Sequence, residues 1–347
     1  MFLADLELFL VELPAGDGAV RTLLVRLVDE TGREGWGETR PVWQAGELAA
    51  RRNALLAVLA GRAIHDVEAV LADDILSDRA VASGVEMALW DLIARAAGQP
   101  LCHLFGGAYR ASVPVAIRLW PGNVEAVVHW ARTFAAQAIG VQTISSTGTP
   151  EGDLQLVAAL REACAHRVQF RLDARGMFDV RSAARLCAEL EPGTVAMVID
   201  PLPEDQADRL SAVRHRSRVP LACSASIHGT RDVMALARAG NARFAIVDPT
   251  RIGGLLRARD CATVADAAGL GAGVRLLRTS GLALAASLHL AAATPALGGG
   301  HECSYPQLHD DVLSEPLRAS EGMLNVPMAQ GLGVQIDRDK VEWYQIS

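Results

Sequence analysis

Charged side chains in this sequence recur directly after short apolar runs, and that pattern nominates a small set of groups for chemistry. Asp173 closes VQFRLD, Asp200 follows VAMVI, Asp248 follows RFAIV, and His301 and Glu302 lie together in GGHEC. Carboxylates at such places can hold a divalent cation, take up a proton or pair with a cation. Arg175, Arg275 and Arg278 stand near them. A guanidinium stays protonated near neutral pH, so these arginines suit an anionic ligand and make poor general bases. Ser145, Thr147 and Ser224 supply hydroxyls at comparable positions, which do not act as bases unaided. Lysine chemistry has one candidate, since Lys340 is the single lysine among 33 Lys and Arg residues. Cys223 and Cys303 lie near strand ends without an obvious activating histidine in the sequence and read as inert buried thiols. His228 and His289 fall on predicted helices as packing or surface residues.

These groups need a scaffold that brings the ends of distant runs together. Eight strand candidates follow one another from residue 113: 113–117, 141–145, 168–173, 195–199, 219–223, 243–247, 271–275 and 299–303, with Ala/Leu-rich helical stretches between them. A spacing of about 25 to 30 residues fits one strand plus one returning helix, and eight such units close a (β/α)8 barrel. In that architecture the loops after the strands converge over one mouth, so residues at strand C-termini meet. Before the barrel, residues 2–12 and 20–28 read as an antiparallel pair across the turn around Pro14, and 35–41 continues it. Helices are expected over roughly 46–60 and 84–97, the second ended by Gly98 and Pro100. The expected organisation is an α+β capping domain over 1–110, a TIM-type barrel over 111–315, and a tail over 316–347 that returns to the cap.

The bulk properties narrow the function classes. A chain of 347 residues that is 50% hydrophobic and 21% charged fits a compact globular protein. A net charge of −7 with both signs interleaved offers no basic stripe for nucleic acid. No apolar run reaches the roughly 20 residues of a membrane helix, and the start lacks a basic leader region. Six cysteines lie far apart without a CxxC pair, which suggests neither a disulfide framework nor a zinc site and fits a cytoplasmic location.

Four stretches, GWGET, GVEMALWDLIARAAGQPLCHLFGG, DPTRIGGLLRARDCATVADAAGLG, and GLALAASLHLAAATP with the later EPLRASEGMLNVPMAQGLGV, resemble the mandelate racemase and muconate lactonizing branch of the enolase superfamily. The resemblance implies a barrel with a cap, a small carboxylate ligand, a homo-oligomer, and a magnesium ion that acidifies the C–H beside the substrate carboxylate while barrel residues move the proton. Asp173 matches the first expected metal ligand. Ile199 stands at the second, with Asp200 one step later, and Ser224 stands at the third. Ser145 and Thr147 replace the paired lysines of the family. Asp248 matches an acidic residue on the sixth strand, Arg275 to Arg278 occupies the region of a partner histidine, and Glu302 matches an acidic residue near the substrate carboxylate.

Two readings of each group follow. Asp173 is a metal ligand or the ion-pair partner of Arg175; Asp248 is a retained base or a further arginine partner. Arg275 and Arg278 bind an anion directly or line a closed mouth. Trp43 and Trp120 line the ligand or pack cap against barrel. The expectation is a divergent relative with the magnesium-assisted proton-abstraction site largely dismantled: a carboxylate-binding or inactive homologue without a cofactor. The alternative is an active isomerase or lyase in which arginine holds the carboxylate and Asp248, Glu302 or His301 moves the proton. In a third arrangement Asp173, Asp200 and Asp248 or Glu302 gather around magnesium after all.

Overall fold

In the computed structural model, which describes residues 1–16, 18–119 and 122–346 apart from the side chain of His166, the chain opens with a long hairpin. Strand β1 (Leu3–Ala15) buries Leu6, Leu8 and Leu10 at every second position, as one covered sheet face requires. It pairs antiparallel with β2 (Gly18–Asp29), which pairs with β3 (Glu34–Thr39). Helices α1 (Leu48–Leu59) and α2 (Val67–Leu71) follow, then α3 (Arg79–Ala96), whose first turn is capped by Asp78 accepting from the amide of Ala80 at 2.8 Å. Helix α3 lies so close to β3 that a Cβ on Gly37 would sit 2.0 Å from the Gly84 carbonyl oxygen. The GWG spacing is therefore a packing requirement. A short α4 (Leu101–Leu104) leads to the barrel.

The barrel strands are β4 (Ser112–Leu119), β5 (Val141–Ser145), β6 (Gln169–Asp173), β7 (Met197–Ile199), β8 (Leu221–Cys223), β9 (Phe244–Val247), β10 (Gly271–Leu276) and β11 (His301–Cys303). They pair in chain order, all parallel, and β11 pairs with β4 to close the ring. The (β/α)8 barrel with an N-terminal α+β cap is thus present. The returning helices are α5 (Val124–Ala136), α6 (Pro150–Cys164), α7 (Val180–Glu189), α8 (Leu210–Arg214), α9 (Thr230–Ala239), α10 (Pro249–Ile252) with α11 (Leu255–Ala267), and α12 (Gly281–Ala293). After the barrel, β12 (Met323–Asn325) pairs antiparallel with β4. Helix α13 (Arg338–Tyr344) precedes Ile346, whose amide donates to the Leu10 carbonyl at 2.8 Å.

Residues facing out of the strands join the helices in one large core, whereas Met197, Ile199, Ala222 and Ile246 form a separate apolar cluster inside the lumen. The opposite side of the lumen, on β4, β5, β6, β10 and β11, carries Arg118, Thr143, Ser145, Arg171, Asp173, Arg275 and Glu302. The barrel interior is split into a charged half and an apolar half.

Three buried cap carboxylates tie cap to barrel and tail. Glu38, of GWGET, accepts from the Ser280 amide at 2.7 Å, the Ser280 hydroxyl at 2.6 Å and the Ala283 amide at 2.9 Å, at the start of α12. Glu86 accepts from the amides of Leu255 and Leu256 at the start of α11. Asp91 accepts from Trp36 and, in the tail, Leu332, at 2.9 and 2.7 Å. Unpaired amides of a helix N-terminus favour a carboxylate, which explains why α11 and α12 dock where they do. Burial pushes Glu86 up to about 7 against those amides.

Candidate functional site

At the C-terminal mouth, alternation along β4 points Pro114, Ala116 and Arg118 inward, while Val113, Val115 and Ile117 join the outer core. Arg118 is only 3% exposed and reaches three strands. Its Nε donates to Glu302 Oε1 at 2.7 Å, its Nη1 to Ser145 Oγ at 3.1 Å, and its Nη2 to Asp173 Oδ2. Arg275 comes from the other side: its Nε donates to Glu302 Oε2 at 3.3 Å and its Nη2 lies 3.2 Å from Asp173 Oδ2. Two guanidiniums thus bridge two carboxylates in one buried quartet.

The electrostatics follow from that packing. Burial works to raise the Glu302 carboxyl, but the charges of Arg118, Arg275 and Arg171 overcome it and bring it down to about 2. Glu302 is a firmly ionised anion, and a weak proton acceptor. Asp200 shows the reverse: burial, followed by the negative charge of Asp173, pushes it up to about 6. Its backbone has φ 45°, a left-handed conformation uncommon outside glycine and enriched in Asp. Its Oδ1 accepts from the amides of Ser224 and Ala225 at 2.7 and 3.2 Å.

Several predicted residues stand elsewhere than expected. The side-chain partners of Asp173 are Arg118 and Arg275; Arg175 gives Asp173 only its backbone amide, at 2.9 Å. With φ 54° at Arg175, its side chain runs to the Ser146 carbonyl at 3.0 Å. His301 is a correction. It faces out of the barrel, its Nδ1 2.9 Å from Ser287 Oγ on α12, because adjacent strand residues face opposite ways and Glu302 takes the lumen. Burial, then the charges of Arg110 and Arg171, pushes that imidazole down to about 3. Asp248 caps α10, its Oδ1 accepting from the amide and hydroxyl of Thr250 at 2.9 and 2.7 Å. Thr147 is exposed and gives its amide and hydroxyl to Asp153. Arg278 is exposed at the mouth, where its Nη2 donates to the Ala19 carbonyl of the cap. Trp43 packs on the cap core with the Arg51 guanidinium 5.4 Å from its ring. Trp120 lies outside the described residues.

The three positions where magnesium ligands were expected hold Asp173, already enclosed by cations, Ile199 in the apolar cluster, and Ser224, whose amide holds Asp200. Among the described residues no three His, Cys, Asp or Glu side chains are grouped to share an ion. Arg118 is the residue that sequence reading missed. The signal was its inward parity in VPVAIRL, lost by ending the strand at 117 when it runs to Leu119.

Known proteins agree with this architecture. The family model for the mandelate racemase / muconate lactonizing enzyme N-terminal domain matches residues 17–106, and that for the enolase C-terminal domain-like family matches 124–340. Muconate cycloisomerase 1 of Rhodococcus opacus is 28% identical over 92% of this chain and 90% of its own length. Muconate cycloisomerase 1-2 of Acinetobacter lwoffii is 30% identical over 76% and 70%. Among solved structures, a muconate cycloisomerase from Azorhizobium caulinodans superposes with a TM-score of 0.87 at 26% identity over 99% of this chain and 98% of that one. A muconate lactonizing enzyme at 22% identity shares the fold over the whole of both chains, with a TM-score of 0.92. The chain belongs to the mandelate racemase / muconate lactonizing enzyme branch of the enolase superfamily and is muconate cycloisomerase-like.

Proposed function

We propose that this protein binds a small carboxylate at the C-terminal mouth of its barrel through guanidinium charge and does not carry out metal-assisted proton abstraction. The observation that carries this reading is the quartet in which Arg118 and Arg275 bridge Asp173 and Glu302. The donor set does not fit magnesium, a strongly hydrated ion that is usually held by carboxylates in octahedral geometry. Asp173 is neutralised by two cations, Ile199 offers no donor, and Asp200 is turned to the Ser224 and Ala225 amides. Arg275 is the more accessible guanidinium of the quartet, being 11% exposed against 3% for Arg118. Planar guanidinium suits a carboxylate bidentately, and the names of the similar cycloisomerases make muconate the probe to try first.

The test is calorimetric titration of metal-stripped protein with magnesium, then with cis,cis-muconate. Muconate binding without magnesium, weakened by Arg275→Met, is the expected result. Tight one-to-one magnesium binding lost in Asp173→Asn, or magnesium-dependent turnover, would overturn the reading.

One observation favours a second reading, an active isomerase or lyase. Asp200, held near 6 at the mouth, is poised where a general base works best. Turnover of a carboxylate substrate that is lost in Asp200→Asn while the fold is kept would select it.

A further inference from the structure

One layer below the quartet, Arg171 precedes Asp173 by two residues on β6 and points into the same lumen, toward the N-terminal mouth of the barrel. It is 7% exposed. Its Nη2 donates to the Gly299 carbonyl at 2.7 Å and its Nη1 to that of Gly300 at 3.4 Å, while Nε has no partner among the described residues. Burial pushes its pKa down; Glu302 supports the charge only through space, and Arg275 opposes it. A buried guanidinium without a paired carboxylate is costly to maintain, and an anion is what would complete it.

The space for that anion is present. Barrels of this class ordinarily fill their interior with layers of side chains, but here a cavity of about 410 Å³ opens beside Arg171. Glycines leave the room: a Cβ built on Gly273 would find Ile246 Cγ1 at 4.0 Å and nothing nearer, and Gly298, Gly299 and Gly300 form another wall. Met197, Phe244 and Ile246 supply apolar surface. A cation against apolar walls in a cavity of this size suits a compact ligand with one charged end.

We propose that the N-terminal mouth of the barrel is a second ligand site, which takes a small carboxylate with an apolar body and holds it on Arg171. This site lies at the opposite end of the barrel from the quartet and does not depend on what binds there. The probe is 4-fluorobenzoate, followed by 19F NMR titration of the full chain. Saturable millimolar binding is expected, weakened by about tenfold or more in Arg171→Met, which removes the charge, and equally in Gly273→Leu, which fills the cavity and leaves Arg171 in place. Arg278→Met, at the other mouth, leaves it unchanged. Absence of saturable binding overturns the proposal, as does binding that survives Gly273→Leu or that falls only in Arg278→Met. If Arg171→Met does not fold, Gly273→Leu decides alone.

Discussion

Arg118 Nε donates to Glu302 Oε1 at 2.7 Å across the strand pair β4 and β11 that closes the barrel. The same guanidinium continues to Ser145 and Asp173, so one side chain links the first, second, third and eighth barrel strands. Closure of the ring and charge balance at its mouth are the same interaction.

Removing that side chain leaves two buried carboxylates with only Arg275 between them. Arg118→Met is expected to destabilise the fold by about 3–5 kcal/mol, the cost of breaking a buried ion pair from one side. Arg118→Lys recovers only part of this, because an ammonium lacks the fork that reaches three partners. Urea denaturation midpoints of the three proteins measure it.

Glu302 and Asp200 give stability opposite pH dependences. Glu302 is depressed to about 2, so its contribution is present above the ordinary carboxylate range and is lost as pH falls through about 2. Asp200 is raised to about 6, so the native state holds an extra proton between about 4 and 6, and its contribution is lost as pH rises through 6. Asp200→Asn therefore raises the denaturation midpoint near neutral pH, by an amount on the order of 2 kcal/mol, and changes it little at about pH 4. A larger gain at acid pH than at neutral pH would contradict the assignment.

Cap docking depends on Glu86 and on the glycine facing it. A Cβ on Gly254 would fall 2.0 Å from Glu86 Oε2, at φ 132°. Gly254→Ala is expected to cost at least about 2 kcal/mol through backbone strain and displacement of the carboxylate. Hydrogen exchange at the first amides of α11 accelerates with it, while exchange in β5 and β6 changes less.

All six cysteines are free and buried. Burial pushes Cys187, Cys223 and Cys303 up to about 12 and Cys261 to about 11. Thiolate is the reactive form, so a colorimetric disulfide reagent titrates almost none in the native protein and all six after denaturation. Rapid reaction of Cys223 or Cys303 in the native state would mean that the layer between those strands and the surrounding helices opens to solvent.

The scaffold was legible in the amino-acid sequence. Period-two burial and regular strand spacing are local properties, written into runs such as VQTIS and VQFRLD, and they placed all eight barrel strands in order. The sequence also showed which strand ends carry charge; parity lets only one of His301 and Glu302 face the lumen, and the structure gives that place to Glu302. Which charges pair was not legible in the sequence, because pairing follows from closure of the ring. Arg118 and Glu302 are 184 residues apart, and nothing in either segment names the other until β11 closes on β4. The near neighbour in sequence, Arg175, loses Asp173 to two distant arginines because its left-handed backbone turns its side chain out of the lumen. The same limit hid Arg171, whose missing partner is visible only once the glycines of β10 and the turn before β11 leave a cavity beside it. Periodicity acts along the chain, whereas charge pairing and empty space depend on which strands the closed ring brings face to face.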